Sequence, residues 1–130
     1  DFSIYCSTLY DTYVQKLPES CKTIIMGFSQ GGVMAMRWLH HLDVTVDFLI
    51  PYACWIPEDI DYLTAKTDWN KICKIFTYGA EDQFLNEKKI IEIQEICKAG
   101  NLDFHNEIYA GDHRVDKKQL KKIFKQYIEH

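Results

Sequence analysis

Ser29 sits in Gly27-Phe28-Ser29-Gln30-Gly31, between the apolar run Thr23-Ile24-Ile25-Met26 and a second apolar stretch that begins at Val33. A short apolar run of this kind reads as a buried parallel strand, and the longer stretch after it reads as a helix. Gly-x-Ser-x-Gly between a strand and a helix marks a sharp turn that lifts the serine oxygen clear of a sheet. The turn asks for small residues two before and two after the serine, where a side chain would strike the neighbouring strand or helix. It also aims the backbone amide of Gln30 at the place where an oxyanion forms. A serine hydroxyl is a poor nucleophile until a histidine takes its proton, and that histidine needs a carboxylate to hold its tautomer. Both partners are on offer after later apolar runs: Asp82 in Tyr78-Gly79-Ala80-Glu81-Asp82, and His113 in Ala110-Gly111-Asp112-His113. The chemistry these residue types can perform together is acyl transfer to serine.

Rival residues exist for each role. Glu81 and Asp112 compete with Asp82, which is favoured because two residues separate it from the turn at Gly79. Asp112, next to His113 in sequence, has difficulty reaching that imidazole in a productive geometry. His40 and His41 end a helix, His105 lies within a strand, and His130 is terminal, so His113 alone follows a strand end. The plain readings are an ordinary Gly/Ser turn for Ser29 and a loop acid beside a helix start for Asp82.

Positioning these residues is the task of the elements around them. Phe2, Tyr5, Leu9, Tyr13 and Leu17 recur at helical spacing until Pro18, which predicts an amphipathic first helix. Strands are expected over 23–28, 47–53, 72–78 and 104–109, with a bulge or early end at Pro51 in the second. The helix after Ser29 is apolar around most of its circumference and is expected to be buried beneath the site. Residues 57–70 read as an irregular excursion. Asn86 caps a helix that Gly100 closes, and a last helix runs over 116–129. In that helix Leu120, Ile123, Phe124, Tyr127 and Ile128 share one face, while five lysines form a solvated opposite face. Strands alternating with helices predict a parallel sheet with helices on both faces. Ligands then bind at the carboxyl ends of the strands, where Ser29, Asp82 and His113 all fall.

Composition narrows the function classes. At 130 residues the chain reads as one domain, and 47% hydrophobic content supplies a core. A net charge of −4 gives no electrostatic case for nucleic acid. Five scattered cysteines without Cys-x-x-Cys speak against a disulfide framework or a zinc site and for a reducing compartment, hence a cytoplasmic location. No run approaches the length of a membrane helix. Gly-x-Gly-x-x-Gly and Gly-Lys-Ser/Thr are both missing, so no nucleotide cofactor and no metal are implied.

Gly27-Phe28-Ser29-Gln30-Gly31-Gly32 resembles the nucleophile elbow of the carboxylesterase/phospholipase branch of the α/β-hydrolases, which includes acyl-protein thioesterases. All six positions match the Gly-Phe-Ser-Gln-Gly-Gly typical of that branch. Tyr78-Gly79-Ala80-Glu81-Asp82 resembles its His-Gly-x-x-Asp acid loop with Tyr in place of His, and Gly111-Asp112-His113 resembles a shortened histidine loop. Trp55-Ile56-Pro57 is similar to the aromatic-Leu-Pro segment that lines the acyl pocket. The Ser, Asp, His chain order is also that of these enzymes. The resemblance implies the C-terminal portion of an α/β-hydrolase fold. It implies a serine esterase or thioesterase with Ser29, Asp82 and His113 as triad, acting on a small ester or acyl substrate. Trp55, Ile56, Phe84 and Leu85 are the candidates for an apolar acyl pocket.

The family places further strands before the first helix, and a loop after one of them supplies a second oxyanion amide. Residues 1–22 hold no Gly-rich run to replace it. Upstream strands are therefore expected, or else a poor catalyst. The alternative function is a hydrolase-like domain that binds a partner or ligand and catalyses nothing. Without those strands, Thr23–Met26 is an edge that invites pairing with a second copy.

Overall fold

Four strands, β1 (Ile24–Phe28), β2 (Phe48–Tyr52), β3 (Cys73–Gly79) and β4 (Phe104–Tyr109), alternate with helices α1 (Phe2–Leu9), α2 (Gln30–His41), α3 (Glu87–Ala99) and α4 (Lys117–Ile123). The computed structural model describes residues 2–41, 46–64 and 67–129. The strands lie side by side in chain order, all parallel, so each neighbouring pair is joined by a crossover through the excursion or a helix. Two apolar layers cover the sheet. Met36 and Leu39 of α2 and Ile93 of α3 pack with Leu49 and Phe76 on one face. Ile123 of α4 and Ile128 just beyond it pack with Ile50 and Ile75 on the other. This is the parallel sheet with helices on both faces that the alternation predicts.

Helix ends follow local chemistry. The Asn86 side chain accepts from the Lys89 N–H at 3.0 Å and starts α3, and Gly100 follows its last residue. Asp116 does the same for α4, accepting from Gln119 N–H at 2.9 Å. Each such cap is worth about 1 kcal/mol. No helix among the described residues is long and apolar enough to cross a membrane.

Three local expectations are corrected. The α-helical part of the first helix ends at Leu9 and passes into a wider π-helical turn over Tyr10–Val14. Tyr5 and Tyr13 of the expected apolar stripe are 64% and 65% exposed, and Leu9 and Leu17 are exposed too. The π turn over Tyr10–Val14 and the end of the helix before Leu17 break the α-helical spacing on which that stripe depends. Cys6 and Tyr10 face the core instead, and Ser7 Oγ accepts from the Trp38 indole at 3.0 Å.

Pro51 causes neither a bulge nor an early end. β2 keeps one register against β1 through Tyr52, and its register against β3 is the same at Leu49 and Tyr52. Alternate residues of a parallel strand bond to opposite neighbours. The Tyr52 carbonyl accepts from Ser29 on the β1 side, and Ala53 N–H donates to Thr77 on the β3 side. Pro51 therefore lacks only one bond towards β3. Helix α2 is also less enclosed than its composition suggests: Met34 is exposed, and Arg37 pairs with Asp59 at 2.8 Å on the surface.

Candidate active site

Ser29 follows β1 directly and precedes α2, and it adopts φ 56°, a left-handed conformation that costs a non-glycine residue about 1–2 kcal/mol. Its N–H donates to the Tyr52 carbonyl at 2.9 Å, and its own carbonyl accepts from Gly32 at 3.0 Å. Strand and helix pinch together here. A Cβ on Gly27 would lie 2.4 Å from the Gly31 carbonyl oxygen, and one on Gly32 would lie 2.5 Å from Cys54 Sγ. The glycine two after the serine is not constrained in this way, which corrects the expectation for the motif. A Cβ on Gly31 meets nothing within 4 Å, because it faces the open groove along the β1 edge. The steric need falls on Gly32.

The acid and histidine loops touch through their backbones. A Cβ on Gly79 would sit 2.1 Å from the Gly111 carbonyl oxygen, and Glu81 N–H donates to that oxygen at 2.8 Å. This contact brings Asp82 Oδ2 to 2.6 Å from His113 Nδ1, while His113 Nε2 lies 3.2 Å from Ser29 Oγ. Asp82 is 4% exposed, and its second oxygen accepts from Phe84 N–H at 2.8 Å. An ionised carboxylate can only accept, so the proton between the two belongs on Nδ1. Nε2 is then free to accept from the serine hydroxyl. The rings of Phe28 and Phe84 flank the imidazole, with centroids 4.9 and 4.7 Å away.

A tyrosine pair ties down the loop that carries His113. Asp116 N–H donates to Tyr52 Oη at 2.8 Å, Tyr52 donates to Tyr109 Oη at 2.7 Å, and Tyr109 donates to the Arg114 carbonyl at 2.9 Å. Both phenols come from carboxyl ends of strands, β2 and β4.

A cavity of about 510 Å³ opens over Ser29. Val33, Ala53, Cys54, Trp55, Phe84 and Leu85 form its apolar wall, joined by Gln30, His113 and Lys89. Burial pushes the Cys54 thiol up to about 12, so it is a neutral, inert part of that wall. Gln30 opens α2, where the first amides of a helix have no intrahelical acceptor, so its N–H is available beside Ser29. Among the described residues, no group of three His, Cys, Asp or Glu side chains is placed to hold a metal.

The sequence profile of the phospholipase/carboxylesterase family matches residues 4–130. The chain belongs to that family. A comparison with curated proteins finds no match. Among solved structures, SOBER1 from Arabidopsis thaliana superposes with a TM-score of 0.68 at 19% identity, over 90% of this chain and 58% of its own. Acyl-protein thioesterase 2 from Zea mays superposes with a TM-score of 0.68 at 14% identity, over 95% and 62%. At such identities the likeness is one of fold, and the chain spans about three-fifths of the length of these structures.

Within this family member, the structure sorts the residues singled out from sequence. Ser29, Asp82 and His113 come together, and Trp55, Phe84 and Leu85 line the cavity beside them. Ile56 does not: it is 0% exposed and packs in the core, because the chain turns Trp55 towards the cavity and its neighbour inwards. Asp112 is turned to Arg114 at 2.8 Å, Glu81 is exposed, and the His105 ring packs against Tyr127. Tyr52, Tyr109 and Phe28 escaped sequence reasoning. Their one local signal was a place at or near a strand's carboxyl end.

Proposed function

We propose that this chain hydrolyses carboxylic esters or thioesters through an acyl-enzyme on Ser29. The observation that carries the reading is the continuous relay from Ser29 Oγ through His113 to the buried Asp82. Ser29 Oγ attacks the substrate carbonyl carbon while its proton passes to His113 Nε2. The carbonyl oxygen takes the negative charge, facing the Gln30 amide. Collapse breaks the bond to the alcohol or thiol, which leaves with the proton from Nε2, and the acyl group remains on Ser29. Water then repeats the sequence: it loses a proton to His113, displaces Oγ and releases the acid. Asp82 stays ionised and stabilises the imidazolium. Trp55, Phe84 and Leu85 hold the apolar part of the acyl chain.

The test is labelling with a fluorophosphonate together with hydrolysis of p-nitrophenyl butyrate. Labelling at Ser29 and loss of both reactions in Ser29→Ala are expected. Absence of labelling in the folded chain would instead favour a hydrolase-like domain that binds and does not catalyse. Among the described residues β1 is an edge strand, and we propose that two copies pair over Thr23–Met26, read as a dimer mass by light scattering.

A further inference from the structure

The cavity over Ser29 has one fixed charge, and it is positive. Among the described residues, Lys89 is, apart from His113, the sole ionisable side chain with its charge at neutral pH on that wall, and no carboxylate lines it. Lys89 lies in the first turn of α3, two residues after Glu87, the helix's first residue. Its backbone N–H is bound to Asn86, whereas its side chain makes no ion pair or hydrogen bond among the described residues. The chain as a whole carries −4, so a lone cation here is not the overflow of a basic surface. The start of a 13-residue helix adds its positive pole on the same side. Lys89 is exposed at the rim of this apolar cleft, so its ammonium is free to meet an anionic group that enters from the cavity.

We infer that Lys89 selects substrates whose acyl chain carries an anionic group, a carboxylate within a few bonds of the ester carbonyl. The inference rests on the serine-esterase reading above. Ser29 and Lys89 line the same cavity of about 510 Å³, so an acyl chain seated between them carries its end group to the ammonium. The carbonyl sits on Ser29, the methylenes lie against Trp55, Phe84 and Leu85, and the terminal carboxylate meets the ammonium. A cationic chain end in the same place is repelled.

The experiment compares three p-nitrophenyl esters on the whole chain: butyrate, the monoester of glutaric acid, and the ester of 4-(trimethylammonio)butyrate. The readout is the ratio of kcat/KM values between them, which cancels any general change in the catalyst. We expect glutarate over butyrate to fall about fivefold in Lys89→Gln, mostly through KM, and to be kept in Lys89→Arg. Lys89→Glu should turn the preference towards the trimethylammonio ester, and 0.5 M salt should flatten all ratios in the parent. Ratios that are the same in parent, Lys89→Gln and Lys89→Glu overturn the role of Lys89 and leave the esterase reading standing. No turnover of any ester and no fluorophosphonate labelling overturn both.

Discussion

Removing one hydroxyl, in Tyr109→Phe, tests whether the tyrosine pair holds the histidine loop in register with Ser29. The Tyr109 hydroxyl accepts from Tyr52 at 2.7 Å and donates to the Arg114 carbonyl at 2.9 Å. Phenylalanine keeps the ring and cancels both bonds. Arg114 is exposed, so its carbonyl turns to water at little cost. Tyr52 is 0% exposed, so its hydroxyl loses its acceptor without access to solvent. A buried donor left unpaired costs about 1–3 kcal/mol. If that cost is relieved by loosening the 110–116 loop, the population with His113 Nε2 in reach of Ser29 falls roughly 5- to 150-fold. The backbone bonds of Ala80 to Tyr109 and Glu81 to Gly111 survive the change and set the lower end of that range as the better guide. Burial, and after it the bond from Tyr52, raises the Tyr109 pKa, so the phenol stays protonated and alkaline pH does not imitate the mutation. The assay is kcat and KM for p-nitrophenyl butyrate, with urea unfolding in parallel. The expected result is a lower kcat, a nearly constant KM and a modest loss of stability. Tyr127→Phe is the control, since that phenol bonds Glu107 at 2.6 Å away from the loop and should affect stability alone. A destabilised Tyr109→Phe with full kcat would refute the reasoning.

Three further outcomes are expected. Gly79→Ala forces a Cβ to 2.1 Å from the Gly111 carbonyl oxygen and should separate Asp82 from His113, abolishing esterase activity, whereas Gly31→Ala meets open space and should retain the fold by circular dichroism. Ser29→Gly should lose all activity yet raise the unfolding free energy read by urea denaturation by up to about 1 kcal/mol, because glycine relaxes a φ of 56°. The Cys54 thiol is raised from 9.0 to about 12 by burial, so the folded state disfavours its thiolate. Its stabilising contribution is present below the unfolded value and is lost as pH rises from 9.0 towards about 12. Stability under reducing conditions should therefore decline over that window, and decline less in Cys54→Ala. Iodoacetamide at pH 8 should modify exposed Cys21 and spare Cys54, as read by mass spectrometry.

Parallel-sheet architecture was legible in the chain because its signals are local. Apolar runs of five to seven residues, Asn86 and Asp116 at helix starts and Gly100 at a helix end need no partner to be read. The same logic brings Ser29, Asp82 and His113 to one edge of the sheet, since every loop after a parallel strand emerges on that side. Tertiary structure decided what depends on a neighbour distant in sequence. Whether Gly31 or Gly32 must lack a side chain depends on where Cys54 and the open β1 edge lie. Which face of α1 is buried depends on Trp38, and whether Trp55 or Ile56 meets the cavity depends on the turn after β2. The Tyr52–Tyr109 bond joins residues 57 apart in sequence, each of which reads alone as an ordinary strand tyrosine. Periodicity reports the path of the backbone, but a side chain's partners are set only when the strands pack.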